Sequence, residues 1–165
     1  MQRLHELEAV IGMTDWPSVH ALVLEKFAKG WAQPEVHAWD DMLTQDVELI
    51  QPLLARASAR EQFHEETRRL LALAPDVTGE VLDWAGHEDV MFIDLRLTAT
   101  VGRAPIAFRT FDKLRITPAA MVLRREASFD TVPIARRLLT RPSAWWPWFR
   151  SGVGPLIARR GILPR

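Results

Sequence analysis

Pro105-Ile106-Ala107-Phe108-Arg109-Thr110-Phe111-Asp112-Lys113-Leu114-Arg115-Ile116 is the stretch on which the fold turns. Successive residues of a strand point to opposite faces. As a strand this stretch puts Ile106, Phe108, Thr110, Asp112, Leu114 and Ile116 on one side. Ala107, Arg109, Phe111, Lys113 and Arg115 fall on the other. One face is apolar apart from Thr110 and Asp112, the pattern of a half-buried strand. The same period of two extends both ways and predicts strands over about 77–84, 90–100, 105–116 and 120–129. Gly86, Gly102-Arg103 and Thr117-Pro118 lie between them as turn signals. Such short connections imply antiparallel hairpins.

Before residue 77 the period is helical. Residues 1–13 read as a short helix with Leu4, Leu7 and Ile11 on one side. Ser18 reads as the N-cap of a helix carrying Val19, Leu22, Val23, Phe27 and Trp31. Pro34 suits the first turn of a second helix, with Val36, Trp39 and Leu43 as its buried stripe. Residues 47–50 read as a short strand. Ser58-Ala59-Arg60-Glu61 reads as a capping box opening a third helix, with Phe63, Leu70 and Leu71 facing inward. After the meander, Thr131 reads as the cap of a last helix that Pro142 ends, and a short helix from Ser143 is expected in the tail. Helices first and strands afterwards give an α+β domain with the helices on one face of the sheet.

The composition agrees with a single domain. Of 165 residues, 48% are apolar and 25% charged, in the range of globular proteins. There is no cysteine, which excludes disulfides, thiolate metal sites and cysteine nucleophiles. No apolar run approaches ~18 residues, so no membrane-spanning helix is expected. Acidic Glu6 and Glu8 and the lack of a basic start argue against a signal peptide, so a cytoplasmic protein is expected. Charge is unevenly spread. Residues 1–130 hold 14 Lys+Arg and 21 Asp+Glu, a balance of −7, whereas residues 131–165 hold seven arginines and no acid. The reading therefore divides the chain into a domain over 1–140 and a Trp/Arg-rich tail over 141–165 that packs on the domain or on a dimer partner. Peripheral contact of this tail with an anionic membrane is the less favoured alternative.

The order of elements over about 18–135 resembles the SnoaL-like polyketide cyclases within the nuclear transport factor 2-like superfamily. The residues that carry the resemblance are Phe27 and Trp31 at a helix end and Asp46-Val47-Glu48-Leu49 entering a strand. Phe111-Asp112-Lys113-Leu114 in a late strand and Arg124-Arg125-Glu126-Ala127-Ser128-Phe129-Asp130 at the close complete it. The resemblance implies a cone-shaped, curved antiparallel sheet packed against three helices around an apolar pocket. It implies a small hydrophobic ligand, a homodimer and no cofactor. Arg109, Phe111, Lys113 and Arg115 on the outer sheet face are a possible dimer contact under it.

Asp112 is the first catalytic candidate. A carboxylate on an apolar face is expensive unless it is paired, protonated or hydrated. An apolar setting makes a carboxyl group hold its proton, which suits an acid/base role. The resemblance agrees, because the family aims an acid into its pocket from this strand position and uses such chemistry for isomerisation or cyclisation. The alternative is an aspartate hydrogen-bonded to a neighbouring strand or helix. Asp94 is second, with an ion pair to Arg96 as its structural alternative. An epoxide hydrolase site would need an arginine where Phe92 stands and an aspartate where Ala127 stands. Ketosteroid isomerase chemistry would need a tyrosine and an aspartate at positions that hold Phe27 and Gln51. Candidate ligand-binding residues are Phe27, Trp31, His37, Trp39, Gln51, Phe63 and Phe108. No two of the five histidines, at 5, 20, 37, 64 and 87, have the spacing of a helical metal site, and no metal is expected. Nucleic-acid binding is not expected, since acids outnumber bases in the body. A non-catalytic lipid- or polyketide-binding module and a purely structural dimer are the competing functions.

Overall fold

A computed structural model describes residues 14–52 and 56–153 of the chain. The expected helix over 1–13 lies outside the described residues. In chain order the elements are helix α1 (Trp16–Ala32), strand β1 (Leu43–Ile50) and helix α2 (Arg60–Leu73). Strands β2 (Thr78–His87), β3 (Val90–Val101), β4 (Ala104–Ile116) and β5 (Val122–Ser128) follow. Helices α3 (Val132–Leu139) and α4 (Pro142–Ser151) close the described chain.

The sheet has the order β1-β5-β4-β3-β2. The four-strand meander is antiparallel throughout, as its short turns require. The first strand joins it from outside and runs parallel to β5, because α2 and the meander intervene before the pairing is made. Gly102-Arg103 forms the tight β3–β4 turn, with φ of +50° and +72°, as a two-residue hairpin loop demands. The β2–β3 turn lies at Glu88-Asp89 rather than Gly86, which stays in β2 beneath the His20 ring.

Alternation along β3 and β4 sorts the two faces as the sequence pattern requires. Met91, Ile93, Leu95 and Leu114 are fully buried beneath the helices. Phe92 and Phe111 stand exposed on the outer face, where Arg109 lies over the Phe111 ring at 5.6 Å. The helices cover the inner face, and Val23, Phe27 and Trp31 of α1 enter the core.

Three local expectations are corrected. Asp15, not Ser18, is the N-cap of α1, and the Ser18 hydroxyl donates to its carboxylate at 2.5 Å. The Ser58–Glu61 capping box does not form; α2 begins after Ala59, and the Ser58 amide donates to the Gln62 side chain at 2.9 Å. Thr131 holds the N-cap position of α3 as expected but makes no side-chain cap bond, and the Val132 amide donates to Asp130 at 2.9 Å instead. In each case a nearby carboxylate or amide oxygen satisfies a backbone N–H at the helix start in place of the expected cap bond.

The second predicted helix is also replaced. Residues 34–42 form successive tight turns, with Ala38, Asp40 and Met42 donating to Glu35, His37 and Trp39 three residues back. Trp39 explains the change. Its indole packs directly on Gly30, where a Cβ would lie 2.5 Å from Trp39 Cε2. The ring stacks edge-on against Trp31 at 5.2 Å and Phe63 at 5.8 Å. The turns deliver one large ring to this slot.

In an exposed helix, glycine to alanine stabilises by about 1 kcal/mol. At Gly30 the sign reverses, because the added methyl collides with a ring that cannot leave its slot. Gly30→Ala is expected to lower stability by about 1–3 kcal/mol, read from the urea midpoint at unchanged m-value.

Candidate functional site

The inner sheet face is not wholly apolar. Thr110 and Asp112 of β4 and Arg125 of β5 form one buried cluster. Asp112 lies opposite Ala127, and Arg125 opposite Leu114, so the two charges are diagonal neighbours on the same face. Arg125 Nε and Nη2 lie 2.8 and 2.7 Å from Asp112 Oδ2. The Thr110 hydroxyl donates to Oδ1 at 3.1 Å. The guanidinium also lies over the rings of Phe27 at 5.6 Å and Trp31 at 5.4 Å. Both oxygens of Asp112 are engaged, and its side chain is fully shielded from solvent.

Beside this cluster is a cavity of about 340 Å³. The sheet supplies Leu97, Phe108 and Ala127; α2 supplies Leu70 and Leu73; α3 and α4 close it with Ile134, Leu138 and Trp148. Its polar elements are confined to Gln51, Thr110, Thr131 and Arg125. Asp112 does not reach the wall; Arg125 stands between the carboxylate and the cavity. A shallow open groove lies outside, between α3 and the turn end of β3–β4, and shares Ala99, Ile106 and Ile134 with the cavity.

Of the predicted ligand-binding residues, Trp31, Gln51 and Phe108 line the cavity. Phe27, Trp39 and Phe63 instead wrap the Arg125 end of the core. The indole N–H groups of Trp31 and Trp39 are buried and find no acceptor among the described residues. Asp94 is on the outer face, held by Arg109 rather than Arg96, with Arg109 Nε 3.1 Å from Oδ1. That hydrogen bond and the charge of Asp94 raise the Arg109 pKa. Arg96 pairs with Glu80 across β2 instead. Asp94 is therefore on the opposite side of the sheet from the cavity.

His37 is mostly exposed and is not at the cavity. The fold brings it to His64, with ring centroids 4.4 Å apart, and to Asp40 between them. His37 Nδ1 lies 2.9 Å from Asp40 Oδ2, and His64 Nε2 lies 2.6 Å from Oδ1. Helical spacing was the wrong place to seek such a group, since its members come from a turn and from α2. Two imidazoles and a carboxylate, all within 4.8 Å, are a donor set that a divalent transition metal accepts. Burial pushes the Asp40 pKa up, but the hydrogen bonds and charges of His64 and His37 outweigh it and leave the carboxyl below its ordinary 3.8. The remaining buried histidine, His20, bonds the Glu88 carbonyl at 2.8 Å and packs between Trp16 and Trp84.

Arg125 is the residue that sequence reasoning missed. It lies in a charged run, Arg124-Arg125-Glu126, that reads as a solvated face. The available signal was alternation: Arg125 shares its strand face with Ala127.

The family model of the SnoaL-like domain matches residues 24–127. No curated protein matches the chain by sequence. Solved structures match it in fold. One is a protein of ketosteroid isomerase-like fold from Catenulispora acidiphila, in complex with trimethylamine. It is 16% identical, has a TM-score of 0.64, and the match covers 74% of this chain and 95% of that one. A proposed SnoaL-like polyketide cyclase from Jannaschia is 13% identical at a TM-score of 0.66, with 76% and 94% covered. An epoxide hydrolase/cyclase-like enzyme of pyran ring formation in salinomycin is 18% identical at 0.62, with 72% and 95% covered.

Two measurements check this site. Asp112→Ala or Arg125→Met strands a buried charge and is expected to lower stability by about 3–5 kcal/mol. Asp112→Leu combined with Arg125→Met removes both charges and is expected to cost less than either single change, as read by denaturation of all variants. For Asp40, whose folded-state pKa is depressed, stability is fully present above pH ~4 and lost as pH falls through the folded value. Asp40→Asn is therefore expected to lose about 1 kcal/mol at pH 6, after allowing for solvent screening, with the deficit shrinking below pH ~4.

Proposed function

The chain belongs to the SnoaL-like domain family, and from that premise we propose that it binds a small, mostly apolar molecule bearing one acceptor oxygen. The observation that carries this reading is the apolar cavity of about 340 Å³ whose few polar side chains are Gln51, Thr110, Thr131 and Arg125, with the Trp31 indole also in its wall. Its volume suits a compact ligand. Apolar walls supply affinity through burial, and a few fixed polar groups set orientation. Among the described residues the buried Trp31 N–H finds no acceptor, and a ligand oxygen is the acceptor that would complete it.

Arg125 bears on the kind of ligand. Its charge is already balanced by Asp112, so among the described residues the cavity holds no free cation to attract an anion. A neutral carbonyl, ether or hydroxyl oxygen fits better than a carboxylate. In this reading Asp112 acts through Arg125, as a positioning residue, and not by direct proton transfer in the cyclisation or isomerisation that the sequence suggested. Self-association through the outer face, around Phe92 and Phe111, belongs to the same reading.

The test is thermal denaturation of the wild type and of Trp31→Phe with paired ligands: ketones or epoxides and their hydrocarbon counterparts. Ligands that fit are expected to raise Tm in proportion to saturation. Trp31→Phe is expected to weaken the oxygenated member about 3–10-fold more than the hydrocarbon, the worth of one hydrogen bond. If no ligand stabilises the wild type, the reading fails. If both members weaken alike, the assigned oxygen contact is wrong.

A further inference from the structure

The two helices that close the cavity have a second face. Ile134, Leu138, Ala144 and Trp148 point into the domain. On the outer side Val132, Leu139, Trp145, Trp146 and Phe149 are exposed, from 52% for Trp145 to 69% for Val132. Trp146 and Phe149 stack on each other at 6.2 Å. Trp145 donates from its indole to the Leu138 and Leu139 carbonyls at 3.2 and 3.1 Å, which fixes its ring at the α3–α4 joint. Two adjoining helices thus leave several large apolar and aromatic side chains facing water, which marks an interaction site.

Its charge says what it meets. Arg136, Arg137, Arg141 and Arg150 are all exposed on the same two helices or the joint between them. Among the described residues none of the four forms an ion pair, although most other exposed arginines of the domain do; Arg137 donates to the Pro105 carbonyl at 3.1 Å. Residues 131–165 contain no acid at all. A second copy seated symmetrically on this face would set arginines against arginines. An anionic lipid surface supplies the opposite charge, and tryptophan and arginine together are the side chains that settle at its headgroup level.

We propose that the outer face of α3 and α4 docks peripherally on an anionic lipid bilayer, with Trp145, Trp146 and Phe149 entering the interface and Arg136, Arg141 and Arg150 meeting the headgroups. The docking does not depend on the ligand assigned above. It does place the helical wall of the cavity, with Leu138 and Trp148 on its inner side, against the membrane.

The experiment is co-sedimentation of the full chain with vesicles of phosphatidylcholine alone and of phosphatidylcholine with phosphatidylglycerol. The wild type is expected to bind the anionic vesicles only, and less as salt is raised. Trp146→Ser with Phe149→Ser is expected to weaken binding at least about tenfold, and Arg141→Gln with Arg150→Gln to confine it to low salt. Both variants should keep the wild-type circular dichroism spectrum and Tm, since these side chains are exposed. A wild type that ignores anionic vesicles overturns the proposal, and so does undiminished binding by the aromatic variant. Equal binding to neutral vesicles overturns the charge assignment. A change of oligomeric state in the aromatic variant, without vesicle binding by the wild type, would assign the face to a second copy instead.

Discussion

The Asp112–Arg125 pair is the constraint to which the rest of the inner face answers. Two opposite charges are sealed between the sheet and the helices laid over it, and each is tolerable only while the other is in place. The pair holds β4 and β5 in one register, since a slip of one residue would carry either charge to the outer face. It also dictates its surroundings. Thr110 occupies the second carboxylate oxygen, and Phe27 and Trp31 present ring faces to the guanidinium. Aromatic rings satisfy a cation where no further acceptor is available.

From that pair the character of the cavity follows. With the charges cancelling, the space beside them is apolar and takes its boundaries from the helices laid over it. The Trp31, Trp39 and Phe63 rings fill the region behind Arg125, and Gly30 admits Trp39 by having no side chain. The turns over 34–42 exist to reach that slot. Gly102 has a parallel part at the other end: the start of α4 approaches so closely that a Cβ there would lie 2.7 Å from Ala144 Cα. The helical cover is thus held at a backbone contact, not only by side chains.

The helices α3 and α4 divide their residues between two tasks. Ile134, Leu138, Ala144 and Trp148 seal the domain, and Trp145, Trp146 and Phe149 face outward. Helices α3 and α4 therefore pack on the domain with one face and leave an aromatic, cationic face open. Among the described residues no helix is long and apolar enough to cross a membrane.

What the sequence determined by itself is the meander and its sidedness. Period-two alternation needs only the local backbone, and it placed Phe108, Thr110 and Asp112 inward and Phe111 outward correctly. The helices that do form, α1 to α4, were legible from a local pattern too, the 3.6-residue period and its punctuating prolines. Their caps were less so, because several oxygens compete for each free N–H and the winner depends on geometry of fractions of an ångström. The turns at 34–42 were misread as a helix because the stripe of Val36, Trp39 and Leu43 is compatible with both, and only the slot at Gly30 decides between them. The partner of Asp112, the His37–Asp40–His64 group and the cavity itself are tertiary. Each joins residues from separate elements, separated by 13 positions for Asp112 and Arg125 and by 24 for Asp40 and His64. No local pattern encodes such distances; they arise only when the sheet closes and the helices are laid across it.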